Sequence, residues 1–186
     1  MSNLNLKDVP VRYIPDFCSY DVEKLWNQLP FKNHDNAPRQ ECWFNDYGLD
    51  YTYGHGRGER TYSAELVWDD FVNSVREKLN KEFDSSYDCC FCNGYVDENN
   101  HLGWHADDSP EMDMNHGICS VSIGAEREIW FRKTGEKGVA EKGVLLESGS
   151  AVIMLPGMQK DWEHRIPKNS FPCGKRISLT FRKLVV

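Results

Sequence analysis

The sequence of 186 residues has no long apolar run. Its longest uninterrupted apolar stretch extends from Ala151 to Leu155, whereas a membrane-spanning helix needs roughly 20 apolar residues. We therefore expect no membrane span. The first ten residues also lack the basic start and the apolar stretch of a secretory signal. This absence predicts an intracellular protein, cytoplasmic or, in a eukaryote, nuclear.

The cysteines lack the paired spacing of a disulfide framework. There are 7 of them, an odd number scattered along the chain, which is typical of free thiols in a reducing compartment. Cys89, Cys90 and Cys92 are close enough in sequence to resemble part of a zinc site, but no second Cys/His pair follows at zinc-finger spacing. Burial of these small thiols in a strand is the favoured interpretation, with zinc as the alternative.

The chain has fewer basic than acidic residues. The chain has 22 Lys and Arg against 29 Asp and Glu, a net charge of -7, which argues against a uniformly basic surface for binding polyanions. The charges are also unevenly placed, since residues 97–113 carry six acidic side chains and no Lys or Arg, whereas residues 158–186 carry seven Lys and Arg. Such an arrangement suits a site that holds both a metal and an anion, although two separate solvated surfaces would give the same pattern.

Two amphipathic helices are predicted in the first half of the chain, where apolar residues recur every three or four positions. The first follows Ser19 as a possible N-cap and ends before Pro30, with Val22, Leu25, Trp26 and Leu29 on one face. The second begins near Ser63, and its apolar face comprises Val67, Trp68, Phe71, Val75 and Leu79. A domain of this size needs such helices to cover a sheet.

From residue 87 onward the sequence consists of short β-branched and aromatic runs separated by Gly and Pro. The predicted strands are Tyr87–Val96, Ile118–Ile123, Glu128–Arg132, Val144–Leu146, Ala151–Leu155 and Arg176–Val185. We expect a single domain, 1–186, of the mostly β, α+β class. Residues 1–86 are predicted to supply helices and an aromatic loop, and residues 87–186 a meander of seven or eight strands in a jelly-roll core, the double-stranded β-helix, with the helices packed outside.

The segment from Phe31 to Tyr62 is predicted to be a loop, and it is unusually rich in aromatic residues for a connection. Long loops in compact domains are commonly functional lids. The alternative is that the rings only pack the loop onto the core, and composition does not separate the two interpretations.

The triplet His105-Ala106-Asp107 is the strongest chemical signal. If it lies on a strand, positions 105 and 107 point to the same face, so that an imidazole and a carboxylate converge. The triplet alone is weak, because it occurs by chance in many proteins. With His164, which follows a predicted apolar strand, it forms the two-histidine, one-carboxylate set that binds non-haem Fe(II) and leaves coordination positions open.

Arg176 and Arg182 form the second signal, because six residues of strand place both side chains, and Ser178 between them, on one face. Surface salt bridges are the ordinary explanation for a single arginine in a strand. Two guanidinium groups directed into a barrel need anionic partners, and 2-oxoglutarate, a dicarboxylate, supplies them next to an iron site.

The sequence resembles the AlkB family of Fe(II)- and 2-oxoglutarate-dependent dioxygenases. The matching segments, in chain order from about Pro38 to the C-terminus, are PR, YTYG, N-x-Y, GWHADD, SVSIG, GSAVIM, WEHR and R-x-S-L-T-F-R. The resemblance implies that His105, Asp107 and His164 bind iron. It also implies that 2-oxoglutarate is bound by Asn93, Tyr95, Arg176 and Arg182, with Ser178 where the bacterial prototype has Asn, and that O2 is the third reactant.

The resemblance further implies that a methylated base is flipped out of DNA or RNA and gripped between Tyr53 and His105. The other candidate substrate contacts are Tyr51, Trp104 and Asp108, with Arg57 and Arg60 for backbone phosphates, although a solvated turn explains these two arginines equally well. Relatives often place an acidic residue where this chain has Ser109, which leaves the group that reads the base open.

The implied activity is oxidative demethylation of N-alkylated bases of the 1-methyladenine or 3-methylcytosine type, with release of formaldehyde, by a monomer. One alternative is a dioxygenase of the same fold that acts on a protein side chain or a small molecule, which the acidic net charge favours slightly. A module that binds a structural metal is the other alternative. The two predicted cosubstrate arginines argue against it, as does the number of predicted ligands, which is one short of a structural zinc site.

Overall fold

The computed structural model describes residues 5–33, 37, 39–54, 59–137 and 142–186. The regular structure in these residues is mostly β-strand, arranged in a six-stranded sheet, a four-stranded sheet and a two-stranded hairpin. The strands are β1 (Val11–Ile14), β2 (Gln40–Asn45), β3 (Tyr51–Tyr53), β4 (Arg60–Tyr62), β5 (Cys89–Tyr95), β6 (Leu102–His105), β7 (Ile118–Gly124), β8 (Arg127–Lys133), β9 (Lys142–Leu146), β10 (Ala151–Met154), β11 (Trp162–Ile166) and β12 (Arg176–Arg182). The helices are α1 (Val22–Gln28), α2 (Asp70–Glu82) and the single turn α3 (Met158–Asp161).

The large sheet has the strand order β1-β10-β7-β12-β5-β2, and the small sheet the order β6-β11-β8-β9. The described pairings within both sheets are antiparallel. The predicted mostly β, jelly-roll fold is therefore confirmed. The predicted meander is wrong, because neighbours in the large sheet such as β7 and β12 are far apart in the chain, and the connections cross from one sheet to the other.

Strand β12 shows how the large sheet divides its side chains. Ile177, Leu179 and Phe181 lie in the core cluster with residues of α1 and α2, and the alternation of a strand directs Arg176 and Arg182 to the opposite face, toward the small sheet. The helices therefore cover one face of the large sheet, as predicted, and the polar side chains of β12 line the space between the two sheets.

Both predicted helices form, but each begins later than the start that was predicted for it. The Asp21 side chain caps α1 by accepting a hydrogen bond from the Lys24 amide at 2.7 Å, so Ser19 is not the N-cap. Asp69 caps α2. Val67 consequently lies outside the helix and is 87% exposed. In both helices an aspartate side chain accepts hydrogen bonds from free amide groups of the first turn and so marks the start.

The prediction of a loop from Phe31 to Tyr62 is wrong in part, because this segment contains β2, β3 and β4. Strand β2 pairs with β5, and β1 pairs with β10, so the first 86 residues contribute strands to the large sheet as well as helices. Glu41 interrupts the apolar pattern by which β2 could have been predicted. It is a charged residue that is completely buried in the structure, and its arginine partners cannot be recognised from the alternation of apolar residues.

All seven cysteines are free thiols. Cys90 and Cys92 are fully buried in the core cluster that includes α1 and α2, whereas strand alternation places the Cys89 side chain on the other face of β5. This arrangement agrees with burial in a strand. Among the residues that the structure describes, no helix combines the length and the apolar character needed to cross a membrane.

Candidate metal centre and anion pocket

Two histidines and an aspartate converge between the sheets. His105 and His164 are direct partners across β6 and β11, and their ring centroids are 4.2 Å apart. The Asp107 carboxylate lies between them, with Oδ1 3.7 Å from Nε2 of His105 and Oδ2 3.7 Å from Nε2 of His164. One potential ligand atom from each of the three residues falls within 4.8 Å of the other two, so these atoms are close enough to share one metal ion.

Asp107 reaches this position in a way that the sequence did not predict. It follows the end of β6 rather than lying on the strand, so strand alternation does not orient it. Its buried backbone N–H donates instead to Oε1 of Gln159 at 2.9 Å, and its Oδ1 accepts from Nη2 of Arg182 at 2.6 Å. Gln159 belongs to α3, and neither sequence periodicity nor the quoted motifs identify it.

The protonation states suit metal binding. Burial and the nearby His105 lower the pKa of His164 to about 3, and burial lowers the pKa of His105 although Asp107 opposes the shift. Burial alone would raise the pKa of Asp107, but Arg182 and the two histidines lower it on balance. Two neutral imidazoles and a carboxylate, with Nδ1 of His105 held by the Gly103 carbonyl at 2.9 Å, are the donor set that non-haem Fe(II) prefers.

The large sheet forms the facing wall of the same pocket. Eight of the predicted site residues line this pocket together: Tyr53, Asn93, Tyr95, His105, Asp107, His164, Ser178 and Arg182. The Ser178 hydroxyl lies 2.9 Å from that of Ser120 on the neighbouring strand. Iron-binding candidates on one sheet therefore face anion-binding candidates on the other.

Three buried arginines surround Tyr95 at one end of this wall. The guanidinium carbons of Arg176, Arg127 and Arg39 lie 4.8, 5.6 and 5.9 Å from the centroid of its ring. Arg39 pairs with the Glu41 carboxylate at 2.6 Å, but within the described residues neither Arg127 nor Arg176 has a carboxylate partner. Desolvation, with repulsion from the other two arginines, lowers the pKa of Arg176.

Arg176 and Arg182 each have buried donor groups that could bind a dianion. Nε of Arg176 donates to the Ser122 hydroxyl at 2.8 Å, whereas its Nη1 and Nη2 have no hydrogen-bond partner among the described residues, and the same is true of Nε and Nη1 of Arg182. Unpaired buried donors of this kind are costly. A ligand with carboxylates at both ends would satisfy both guanidinium groups, so the residues present fit 2-oxoglutarate as well as iron.

Of the aromatic candidates, Tyr53 lines the pocket and Tyr51 supports it. Tyr51 is 2% exposed, and its ring contacts Trp43 and Phe91 at centroid distances of 4.8 and 5.3 Å. Its hydroxyl lies 3.1 Å from that of Ser109. Burial raises the pKa of Tyr53 to about 12, so this side chain is a neutral phenol at neutral pH.

The remaining predicted substrate residues do not line this pocket. Trp104 alternates with His105 along β6, which places its indole on the other face of the small sheet. There the guanidinium carbons of Arg132 and Arg165 lie 4.3 and 4.7 Å from the centroid of the indole ring. Asp108 is exposed next to Asp107. The Arg60 guanidinium is paired with Glu41 at 3.0 Å, and Arg57 lies outside the described residues.

Comparison with known proteins identifies the family of this chain. A model of the 2OG-Fe(II) oxygenase superfamily matches residues 17–182. The chain therefore belongs to the 2OG-Fe(II) oxygenase superfamily, and the predicted cofactors Fe(II), 2-oxoglutarate and O2 are confirmed with it.

Individual relatives with similar sequences include AlkB homologues, in agreement with the resemblance that the motifs indicated. The chain is 28% identical over 176 residues to alpha-ketoglutarate-dependent dioxygenase alkB homolog 3 of Rattus norvegicus, an alignment that covers 87% of this chain and 58% of the relative. It is 30% identical over 169 residues to DNA oxidative demethylase ALKBH2 of Arabidopsis thaliana, covering 78% and 52%. The chain thus spans little more than half the length of these relatives.

A solved structure described as the structure of OsALKBH1 superposes with a TM-score of 0.65 and covers 94% of this chain and 98% of its own. Its sequence identity is 17%, so the superposition supports the fold alone.

Proposed function

We propose that the chain is a dioxygenase that oxidatively demethylates N-alkylated bases of the 1-methyladenine or 3-methylcytosine type in DNA or RNA and releases formaldehyde. The observation that carries the proposal is the single pocket in which Tyr53 and the His105, Asp107 and His164 group occur together. The names of the relatives, which include DNA oxidative demethylase, give independent support.

In this proposal His105, Asp107 and His164 hold Fe(II), and Arg182 bridges Asp107 to the cosubstrate. Asn93, Tyr95, Ser178 and Arg176 bind the rest of 2-oxoglutarate. Iron held by these three residues would supply the oxidation of the N-methyl carbon by O2, coupled to the conversion of 2-oxoglutarate to succinate and CO2, and the resulting hydroxymethyl group would be lost as formaldehyde. The protein's own contribution is to orient these groups and to exclude water, since no side-chain nucleophile is required.

Tyr53 is proposed to stack on the flipped base opposite His105, with Tyr51 behind it and Asp108 at the edge of the site. The pairing of Arg60 with Glu41 suggests that Arg60 supports the hairpin instead of binding phosphate. Trp104 and Arg57 remain predicted substrate contacts, and Trp104 would contact only nucleic acid that extends around the small sheet.

We further propose that one chain acts as a monomeric, intracellular catalytic unit. Strands from before and after residue 86 share the large sheet, which supports a single catalytic domain. The seven free thiols support a reducing compartment.

The direct test is succinate release with Fe(II), 2-oxoglutarate and O2, with and without an oligonucleotide that contains 1-methyladenine. We expect succinate and formaldehyde to form in equal amounts and to depend on the methyl group, and the unmethylated oligonucleotide is the control. Succinate formation that the methylated oligonucleotide does not stimulate would contradict the proposal and would favour a protein or small-molecule substrate.

A second prediction concerns Tyr53, whose replacement separates stacking from hydrogen bonding. Tyr53→Ala should weaken oligonucleotide binding by about 1–3 kcal/mol, whereas Tyr53→Phe should retain most of the affinity because it keeps the ring face. Turnover of 2-oxoglutarate without nucleic acid should be similar in both variants. Tyr47→Ala, which removes an aromatic ring outside the pocket, is the control, and the binding is measured over a salt series because phosphate contacts depend on ionic strength. If Tyr53→Ala demethylates the oligonucleotide as fast as the wild type does, the β3–β4 hairpin is only structural.

A further inference from the structure

A buried ion network lies beside the anion pocket and has no part in the proposed function. The network consists of Arg39, Glu41, Arg60 and Tyr62. Oε1 of Glu41 accepts from Nη2 of Arg39 at 2.6 Å, Oε2 accepts from Nη2 of Arg60 at 3.0 Å, and the Tyr62 hydroxyl donates to the same oxygen. The Arg39 and Glu41 side chains are 2% and 0% exposed. Solvent therefore screens this pair little, and Glu41 holds Arg39 firmly.

Arg39 uses its other two donor groups on the structure around the pocket. Its Nη1 donates to the His101 carbonyl at 2.8 Å, just before β6 begins with Leu102. Its Nε donates to Oδ1 of Asn93 at 3.1 Å. One guanidinium group thus connects β2, β5 and the segment that leads to the iron-binding strand.

The bond to Asn93 determines which end of that carboxamide is available to a ligand. A guanidinium group donates hydrogen bonds and accepts none, so the Asn93 atom that faces Arg39 must be the carbonyl oxygen. The NH2 group of Asn93 is then what this side chain offers to the pocket that it lines. Carboxylates accept hydrogen bonds and donate none, so a flipped amide would place an oxygen against an anionic cosubstrate.

We propose that Arg39 is a positioning residue for 2-oxoglutarate: held by Glu41, it fixes the Asn93 carboxamide with its NH2 group toward the cosubstrate. This inference rests on the proposed function, because it takes Asn93 as a 2-oxoglutarate contact. Arg39 acts through Asn93 and touches neither iron nor the cosubstrate itself.

The test is a double-mutant cycle on 2-oxoglutarate affinity, measured by calorimetry without oxygen and with Mn(II) in place of Fe(II), so that no turnover occurs. Arg39→Lys keeps the charge near Glu41 but cannot make all three bonds at once. We expect it to weaken binding about 5–10-fold in the wild-type background. In the Asn93→Ala background the same change should weaken binding less than about 2-fold, because the group through which Arg39 acts is gone.

A second variant tests the amide orientation without altering Arg39. Asn93→Asp places a carboxylate oxygen where the NH2 group was, while Arg39 still holds the other oxygen. We expect Asn93→Asp to bind 2-oxoglutarate more weakly than Asn93→Ala does. Arg76→Lys, which makes the same arginine change in an ion pair with Asp46, should leave the affinity unchanged, because neither residue lines the pocket.

The outcomes separate this inference from the proposed function. If the wild-type protein does not bind 2-oxoglutarate, the proposed function fails. If it binds but Arg39→Lys weakens the affinity equally in both backgrounds, or not at all, the positioning role is overturned. Tighter binding by Asn93→Asp than by Asn93→Ala would also overturn it, and this comparison stands even if the Arg39 variants do not fold.

Discussion

His164→Ala is expected to abolish 2-oxoglutarate turnover while leaving the fold intact. The substitution removes one of three proposed iron ligands, so the loss should exceed the roughly 10–100-fold effect of changing a residue that only supports a ligand. The fold should tolerate the change because Nδ1 of His164 has no hydrogen-bond partner among the described residues. Asp107→Ala would be less informative, since it would also leave Arg182 without its carboxylate.

The measurement for His164→Ala is succinate formation together with the stoichiometry of bound Fe(II) and the thermal unfolding midpoint. His101→Ala is a suitable control, because His101 contacts Arg39 only through its backbone carbonyl and lies outside the metal-binding group. Full activity of His164→Ala with one iron bound per chain would refute the assignment of the metal centre.

Arg176→Met is expected to have opposite effects on stability and on ligand binding. Without ligand, the change removes a buried charge that lacks a carboxylate partner, and replacing such a charge with an apolar side chain is often neutral or stabilising. With 2-oxoglutarate, the same change leaves a ligand carboxylate unpaired, which costs about 3–5 kcal/mol. The affinity should therefore fall by roughly 100-fold or more.

Two measurements check this prediction: calorimetric titration of 2-oxoglutarate into the Mn(II)-loaded protein, and unfolding with and without the ligand. The wild type should gain stability from saturating 2-oxoglutarate, and Arg176→Met should gain none at the same concentration. Arg132→Met, which breaks the ion pair with Glu163 on the outer face of the small sheet, should bind normally. If Arg176→Met binds 2-oxoglutarate with unchanged affinity, the ligand carboxylate is bound by another part of the pocket.

Local sequence signals identified much of the core and several of its strands. The six predicted strands all form, with bounds shifted by at most a few residues, because alternating or continuous apolar residues specify a strand wherever one face must be buried. The same alternation predicted Arg176 and Arg182 on one face of β12, and in the structure Arg182 lines the pocket while Arg176 packs on Tyr95, which also lines it. The motifs added the candidate residues for binding iron and 2-oxoglutarate. Motifs are short-range sequence patterns, so they can be recognised without knowing how distant segments pack.

The sequence alone did not predict the parts of the site that depend on contacts between distant residues. Asp107 is oriented by Gln159, 52 positions away, and the Asn93 carboxamide by Arg39, 54 positions away. Strand β2 contains a buried glutamate whose charge is balanced by arginines that lie outside that strand, so its polar character resembled a loop.

The sequence by itself therefore determined six of the twelve strands in the described residues and supplied the candidates for metal and anion binding, since these follow from side-chain type and spacing. The tertiary structure decided how those residues are held. Buried polar groups must find partners wherever the fold brings them together, and a pairing such as that of Glu41 with Arg60, 19 positions away, exists only once β2 and β4 have come together.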